Sequence, residues 1–518
     1  MRRPFTASAC SVLLLLPVAL GGCAAESSDT PGGGGSNSGG SAGQSTGSGG
    51  KASGGTSAGV AAGGSVATAG SAAIGGSATS AGSGGTSTST AGGGSGGTTS
   101  AGSGGSITGS GGVPGAAGGI TTGTWTFAED PGAACTVGTM PAVSALTANN
   151  KLPDPFKKLD GKAMTSKTEW LCRREEILQQ GFEYVYGKKP RTPKDAVTGT
   201  VSNTSISVSV TDTGKTGTFT ASVSLPSSCT KPCPAVIGFG GLTGMPVGNG
   251  IATINFNATA VGAEGNGSNP GTGAFYSVYG ADNEAGLLSA WAWGISRIID
   301  VIEKNPGTID PTKLAVTGCS RFGKGAFVAG IMDNRIALTI PVESGVGGTP
   351  ALRMIEQLDS YSGSEWPYHA ISYQQWFSPE KLGQFTTGNS ASADNTNKLP
   401  VDMHEMMALV LPRGLYIVDN PSTTYNGLDR NSAYLTGLVG QMVFKALGYA
   451  DNITYQGASG AHCTWRDGYT APLQANLDKF LRGSTTAKTG TFGTDLGGTK
   501  PTAASAIEWT APTLPGEL

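Results

Sequence analysis

From residue 198 onward, apolar runs with the two-residue spacing of strands alternate with segments that have helical spacing. Residues 198–227 alternate small polar and apolar side chains, which predicts a β-hairpin or meander that turns at 211–214. Short apolar runs predict further strands, and apolar residues spaced three to four apart predict helices. The predicted strands comprise residues 233–241, 250–257, 313–318, 336–342 and 413–418, and the predicted helices comprise residues 286–304, 323–331, 435–447 and 473–481.

Strands that alternate with helices are typical of a mainly parallel sheet covered by helices on both faces. The sequence therefore predicts an α/β fold, with the hairpin of residues 198–227 as an N-terminal extension. Residues 123–518 have ordinary composition, and we expect them to form one domain that is long enough to bury a sizeable core.

The first 23 residues have the features of an export signal. Two early arginines precede the apolar run 12–20, which is too short to span a bilayer as a stable helix. The run ends in Leu20-Gly21-Gly22-Cys23, which resembles the bacterial lipobox, where the cysteine is lipidated. We therefore expect an exported lipoprotein at the outer membrane or cell surface. An ordinary signal peptide cleaved nearby, and so a secreted protein, is the alternative.

Residues 24–122 consist almost wholly of Gly, Ser, Ala and Thr. Such a segment has too little apolar surface to offset its chain entropy, so it is expected to be a disordered tether with an r.m.s. reach of about 50–60 Å. A formal G-x-S-x-G motif falls inside it, at residues 43–47. Because a disordered segment cannot pre-organise a catalytic site, Ser45 is rejected as a nucleophile.

Charge and cysteine content narrow the functional classes. The formal net charge of −2 gives no indication of a nucleic-acid partner. Beyond Cys10 and Cys23, six cysteines remain, and an even number in an exported domain predicts disulfides with fifteen possible connectivities. A zinc site is the alternative, but the close pair Cys229 and Cys233 has no second close pair beside it. We expect neither metal nor cofactor.

The stretch VTGCSRFGKGA, residues 316–326, lies between a predicted strand and a predicted helix. A strand–turn–helix lifts a serine above the sheet and aims backbone N–H groups at a developing oxyanion. Ser320 is therefore a candidate nucleophile, and Gly318, Gly323 and Gly325 suit a tight turn. Gly323 comes one residue later than in G-x-S-x-G, so a plain strand-to-helix turn is the alternative.

A serine needs a base, and the chain has only three histidines. His462, in a glycine-rich loop before the last predicted helix, suits the chain order serine, acid, histidine. His404 is instead predicted to be a buried hydrogen-bonding residue, and His369 a surface or packing residue. Glu343 and Asp419 both end strands, where sheet enzymes place chemistry, so either can hold the imidazole.

The segments GCSRFGKGA, IPVESGVGG and GAHC together closely resemble the glucuronoyl esterases of carbohydrate esterase family 15. The likeness extends over nearly the whole folded part. Further matching blocks are LPDPFKKLDG, WLCRREEI, YGKKP, GIATINFN, LLSAWAWGISRIIDVIE, WFSPEKLGQF, LPVDMHEMMALVLPRGLYIVDN and EWTAPTL.

The resemblance implies an α/β-hydrolase three-layer sandwich. It also implies cleavage, through an acyl-enzyme, of esters that join (4-O-methyl-)glucuronic acid branches of glucuronoxylan to lignin alcohols. Ser320 would be the nucleophile, His462 the base and Glu343 the acid. Arg321 would stabilise the oxyanion through its N–H and guanidinium, and Lys324 would contact sugar hydroxyls. Without the resemblance, the last two would be interpreted as charges on a helix surface.

Two further details follow from the resemblance. Some members of the family use an acid after a later strand, where Asp419 stands. Glu343 is favoured because the ESGVGG block matches the subgroup that uses it. The implied disulfide pairs are Cys319–Cys463, which would clamp the two catalytic loops, Cys135–Cys172, and the remaining pair Cys229–Cys233.

The sequence departs from the family at the sugar contacts. Fungal relatives have a Gln and a Glu ahead of the WFS block, where this chain offers Glu365, Tyr373 or Gln374. Tyr425 stands in the region of a cleft tryptophan, and a tyrosine still stacks on a sugar ring. An esterase for acetyl or feruloyl groups on xylan, and a catalytically silent carbohydrate-binding surface protein, are therefore kept as alternatives. We expect a monomer.

Overall fold

In the computed structural model, the described residues are 128–518 except for 131, 133–134, 265–270, 360–364, 368–375, 379, 387–394, 421–427 and 496–499. The predictions of a signal peptide, of lipidation at Cys23 and of a linker at 24–122 therefore lie outside the described residues. So do Tyr373, Gln374 and Tyr425 among the predicted sugar contacts.

The centre of the domain is a ten-stranded sheet in the order β1-β2-β3-β5-β4-β6-β7-β8-β9-β10. Strands β1 to β3 form an antiparallel meander, β3 pairs antiparallel with β5, and every pair from β5 to β10 is parallel. The strands are β1 Val197–Val201, β2 Ser205–Asp212, β3 Lys215–Ser224, β4 Cys233–Phe239, β5 Ala252–Phe256, β6 Ile309–Cys319, β7 Ile336–Val342, β8 Gly414–Asp419, β9 Ile453–Gly457 and β10 Phe492–Gly493.

Among the described residues, one α-helix precedes the meander and the other α-helices all follow β5 in the chain. The α-helices are α1 Trp170–Gly181, α2 Ala258–Val261, α3 Ala274–Tyr279, α4 Leu287–Lys304, α5 Arg321–Met332, α6 Ile355–Leu358, α7 Met403–Ala408, α8 Arg430–Leu447, α9 Asp467–Phe480 and α10 Ala503–Ala506. Among the described residues, no helix is both long and apolar enough to cross a membrane.

Alternate residues of the parallel strands point into two different cores. Leu314 and Val316 pack in the core that also holds the apolar side chains of α4 and α5. Ala315, between them, belongs to a second core with Tyr469 and Leu473 of α9. Because side chains alternate across a strand, these two cores are the two faces of the sheet. The result is a three-layer sandwich with a mainly parallel sheet, which is the α/β-hydrolase architecture that the family resemblance implies.

The parallel strands are buried on both faces and therefore appear in the sequence as continuous apolar runs. All residues of β7 and β8 are buried, whereas exposed and buried residues alternate along the meander strand β3. The meander turns at Thr213 and Gly214, with φ of 53° and 76°, inside the predicted turn.

Several predicted boundaries were wrong. Strand β6 begins at Ile309 and not at residue 313, α9 begins at Asp467, and β9 and the two-residue β10 were missed. Helix α10 shows that the predicted helix at 473–481 is not the last one. Helix α8 starts at Arg430, five residues before the prediction, because Asp359 accepts hydrogen bonds from the N–H groups of Asn431 and Ser432 at 3.1 and 2.9 Å. A cap from a distant segment leaves no local pattern in the sequence.

Candidate active site

Ser320 occupies the turn between β6 and α5 with φ of 60° and ψ of −129°. Its N–H donates to the carbonyl oxygen of Val342, at 2.9 Å, which fixes the turn against the neighbouring strand β7. A Cβ at Gly318 would lie 2.4 Å from the carbonyl oxygen of Phe322, and one at Gly323 would lie 2.5 Å from that of Val342. Both positions therefore require glycine, and the late Gly323 serves this close approach.

Glu343 follows β7, and its side chain is fully buried. Oε2 accepts hydrogen bonds from Nδ1 of His462 at 2.6 Å and from the N–H of Cys463 at 3.0 Å. Oε1 accepts from Nη1 of Arg466 at 3.0 Å. Burial opposes ionisation, but the hydrogen bonds from His462, Cys463 and Arg466 outweigh it and hold the pKa of Glu343 below its ordinary value. The group is therefore a carboxylate at neutral pH.

His462 lies in the loop between β9 and α9. A disulfide joins Cys319, the residue before Ser320, to Cys463, the residue after His462, with the two Cα atoms 5.7 Å apart. The disulfide therefore connects the strand that carries the serine to the loop that carries the histidine. The structure brings together three residues of the predicted site, since Glu343 contacts His462 and also follows the strand that supports Ser320.

Asp419, the alternative acid, ends β8 and is almost fully buried. Its carboxyl group accepts from the N–H of Asn420 at 2.9 Å and from the hydroxyl of Tyr455 at 3.3 Å. Burial, with the added effect of the nearby Glu343 charge, raises the pKa of Asp419 to about 8. A carboxyl group that holds its proton at neutral pH is poorly suited to stabilise a histidine cation.

Arg321 begins α5, and its side chain is half exposed. Its Nε lies 3.1 Å from Oε2 of Glu264, and its guanidinium carbon lies 5.3 Å from the centre of the Phe322 ring. The other oxygen of Glu264 accepts from Nε1 of Trp376 at 3.1 Å. Glu264 thus fixes the direction of Arg321 beside the serine.

Lys324, one turn into α5, is fully buried, so it is not a helix-surface charge. Its Nζ donates to the carbonyl oxygen of Ser344 at 2.6 Å and to Oε2 of Glu365 at 2.7 Å. It also lies 4.7 Å from the centre of the Trp376 ring. Glu365, one of the predicted sugar contacts, is partly exposed and accepts in addition from the N–H of Val346 at 3.0 Å.

Sequence reasoning missed several residues of this site, namely Glu264, Trp376, Arg466 and Tyr469. Trp376 falls inside a matching block, WFSPEKLGQF, but a match of this kind does not indicate which residues its side chain contacts. Arg466 is four residues after His462, close enough in sequence to have been considered as its neighbour. Glu264 lies outside every matching block, seven residues after GIATINFN, so no motif indicated it.

Among the described residues, one further histidine and four further cysteines remain. His404, in α7, is buried as predicted, with Nε2 2.9 Å from the carbonyl oxygen of Pro153, and burial lowers its pKa to about 4. His369 lies outside the described residues. Disulfides also join Cys135 to Cys172 and Cys229 to Cys233, the pairs that the resemblance implies.

A metal at the triad is disfavoured by the chemistry of its donors. Cys319, Glu343, His462 and Cys463 offer ligand atoms within 4.8 Å of one another. The two sulfur atoms are bonded to each other in the disulfide, so neither is available as a thiolate ligand. Two donors remain, and they are hydrogen-bonded together.

A serine on a strained turn after a central parallel strand, with a histidine and a buried carboxylate beside it, is the arrangement of an α/β-hydrolase enzyme. A family model for fungal glucuronyl esterases matches residues 208–448. A 4-O-methyl-glucuronoyl methylesterase of Hypocrea jecorina is 37% identical over 386 residues, which cover 74% of this chain and 80% of that protein. The chain therefore belongs to the glucuronoyl esterases, a family of carboxylic ester hydrolases.

Solved structures agree with this assignment. The catalytic domain of the Hypocrea jecorina glucuronoyl esterase superposes with a TM-score of 0.66 at 35% identity, covering 73% of this chain and 100% of that one. A mutant glucuronoyl esterase of Sporotrichum thermophile, in complex with methyl 4-O-methyl-β-D-glucopyranuronate, has a TM-score of 0.66 at 34% identity, covering 71% and 97%. A family 15 enzyme from Caldicellulosiruptor kristjansonii has a TM-score of 0.59 at 28% identity, covering 71% and 98%.

Proposed function

We propose that this protein hydrolyses the esters that join (4-O-methyl-)glucuronic acid side chains of glucuronoxylan to lignin alcohols, with Ser320, His462 and Glu343 as its triad. The observation that supports the triad most directly is the 2.6 Å contact between Nδ1 of His462 and Oε2 of Glu343. The Cys319–Cys463 disulfide supports it further, because it keeps the serine and histidine loops adjacent. The substrate class is supported by the relatives' activity as 4-O-methyl-glucuronoyl methylesterases.

In the first half of the reaction, His462 takes the proton of the Ser320 hydroxyl while the serine oxygen attacks the uronate carbonyl carbon. Glu343 holds Nδ1 and stabilises the imidazolium that forms. The tetrahedral intermediate then expels the alcohol, which receives the proton from His462. A glucuronoyl ester of Ser320 remains.

In the second half, His462 removes a proton from water, which attacks the acyl-enzyme to form a second tetrahedral intermediate. The bond from the carbonyl carbon to the Ser320 oxygen then breaks, the serine oxygen takes the proton back from His462, and glucuronic acid is released. The oxyanion of each intermediate would be stabilised by the backbone N–H and the guanidinium of Arg321, which Glu264 holds in place. Lys324 and Glu365 would hydrogen-bond the sugar hydroxyls. Their 2.7 Å ion pair keeps both charged groups oriented without substrate.

The test is a panel of purified esters, with Ser320→Ala as the control. Methyl and benzyl glucuronates, with and without the 4-O-methyl group, should be hydrolysed. The variant should lose at least about a thousandfold in kcat/KM. Turnover of acetyl or feruloyl xylan esters alone would instead favour the other cell-wall esterase. Binding to glucuronoxylan without turnover of any ester would favour a silent carbohydrate-binding protein.

We further propose that the enzyme is exported and acts as a monomer held at the outer membrane or cell surface through lipid on Cys23. The support is the apolar run 12–20 followed by Leu-Gly-Gly-Cys at residues 20–23. Labelling of cells with a clickable fatty acid should tag the wild-type chain but not Cys23→Ser. Equal labelling of the two would contradict the anchor.

A further inference from the structure

Arg466 lies at the start of α9 with most of its side chain buried. One guanidinium nitrogen, Nη1, donates to Oε1 of Glu343 at 3.0 Å and to the hydroxyl of Tyr469 at 2.6 Å. The other, Nη2, donates to the carbonyl oxygen of Ala461 at 2.6 Å. The guanidinium carbon lies 5.3 Å from the centre of the Tyr469 ring. A single side chain therefore contacts the triad acid and the residue that precedes His462.

These contacts restrict the rotation of the Glu343 carboxylate. His462 and the N–H of Cys463 bind Oε2, and Arg466 binds Oε1, so both oxygens have fixed partners. Without Arg466, the carboxylate would keep donors on one oxygen only and could turn away from the imidazole. The bond from Arg466 to Ala461 also holds the histidine loop at a fixed distance from the acid.

We propose that Arg466 is a positioning residue of the triad, which orients Glu343 against His462. The inference rests on the proposed function, because it takes His462 as the catalytic base. A guanidinium is a planar donor with fixed geometry, so its bonds to Glu343 and to Ala461 keep the carboxylate and the histidine loop in one arrangement.

The two cations of α5 are engaged elsewhere. Arg321 pairs with Glu264, and Lys324 pairs with Glu365. Within the described part of the chain, Arg466 is therefore the cation that contacts the triad acid.

The experiment compares kcat and KM of wild type, Arg466→Gln and Arg466→Lys on a benzyl glucuronate. We expect R466Q to lose about 10- to 100-fold in kcat with KM changed by no more than about twofold. R466K keeps the charge but not the planar fork, so it should recover part of the loss, with kcat about 3- to 10-fold below wild type.

Arg482→Gln is the matched control, because Arg482 pairs with Asp478 at 2.7 Å near the other end of α9. Its kcat and KM should equal those of wild type. A kcat of R466Q within about twofold of wild type would overturn the proposal. If R466Q does not fold, R466K tests the positioning role instead, and a wild-type kcat in R466K would overturn that role.

A second readout separates this inference from the proposed substrate. A fluorophosphonate probe labels an activated serine whatever the natural ester is, so its rate of reaction with Ser320 should fall in R466Q by a factor similar to the loss of kcat. Labelling without glucuronate hydrolysis in wild type would reject the substrate and leave the role of Arg466 standing. A purely structural role would lower the melting temperature of R466Q without slowing the labelling of the folded protein.

Discussion

The backbone at the proposed triad has positive φ values, a conformation that residues other than glycine rarely adopt. Ser320, Glu343 and Cys463 have φ values of 60°, 44° and 57°. Each such residue costs on the order of 1–3 kcal/mol, so surrounding contacts must hold it in place. The N–H groups of Ser320 and Glu343 donate to Val342 and Val418 at 2.9 and 2.8 Å, and a disulfide fixes Cys463. These contacts hold the serine and acid turns at the carboxyl ends of the central parallel strands β6 and β7, next to the histidine loop.

Replacement of the two candidate acids distinguishes their roles. Glu343→Gln leaves the shape but removes the charge that stabilises the imidazolium, so kcat should fall by about a hundredfold to ten-thousandfold. Asp419→Asn replaces a carboxyl group that is already protonated near neutral pH, and kcat should change by less than about threefold. Steady-state kinetics on a benzyl glucuronate measure both. A larger loss of kcat in D419N than in E343Q would indicate that Asp419, and not Glu343, is the acid of the triad.

At the residue scale, the sequence was most informative where a side chain lies inside a motif. Ser320, Glu343 and His462 each follow a strand or lie in a glycine-rich loop, so the order of elements was enough to nominate them. Glu264 escaped prediction because its contact with Arg321 depends on a distance across the folded domain, whereas Arg466 was overlooked although it is only four residues after His462.

At the scale of elements, the disulfide Cys319–Cys463 links β6 covalently to the loop before α9. It closes a sequence separation of 144 residues, so its loss should free considerable chain entropy in the unfolded state. Cys229–Cys233 spans a separation of only 4 residues and offers a matched comparison.

We expect the double variant Cys319→Ala/Cys463→Ala to lose about 3–5 kcal/mol of unfolding free energy, and Cys229→Ala/Cys233→Ala to lose about 2 kcal/mol or less. The first variant should also lose about tenfold or more in kcat, because the histidine loop is no longer tied to the serine strand. Urea unfolding and steady-state kinetics measure the two effects. Equal losses of kcat in both variants would show that the Cys319–Cys463 bond is not specific to the site.

Element boundaries were predicted well where burial dictates the pattern and poorly where a tertiary contact does. The strand prediction 336–342 coincides with β7, whose residues are all buried. The start of α8 was placed too late because its cap comes from Asp359, 71 positions before the Arg430 start. Apolar spacing identifies the middle of a helix, whereas the cap that fixes its end lies elsewhere in the chain.

At the scale of the whole folded domain, ion pairs between Glu129 and buried cations attach the N-terminal segment to the core. Glu129, near the start of the described residues, accepts hydrogen bonds from Lys189 at 2.6 Å and from Arg297, and it lies 3.9 Å from Arg335. Its carbonyl oxygen also accepts from the N–H of Asn334 at 3.1 Å. Burial opposes the charge of Glu129, but these cations outweigh it and lower its pKa.

Glu129→Gln should destabilise the domain by about 3–5 kcal/mol at neutral pH, because it leaves buried cations without their counter-charge. A carboxylate whose pKa is lowered by folding contributes fully above its ordinary value of 4.5, and that contribution is lost as pH falls through the lowered folded value. The difference between wild type and E129Q in urea unfolding should therefore shrink in acid. Asp130→Asn is the control, since its partner Arg191 is largely exposed and such pairs contribute about 1 kcal/mol or less. A destabilisation of E129Q no larger than that of D130N would mean that the buried charges do not anchor the segment.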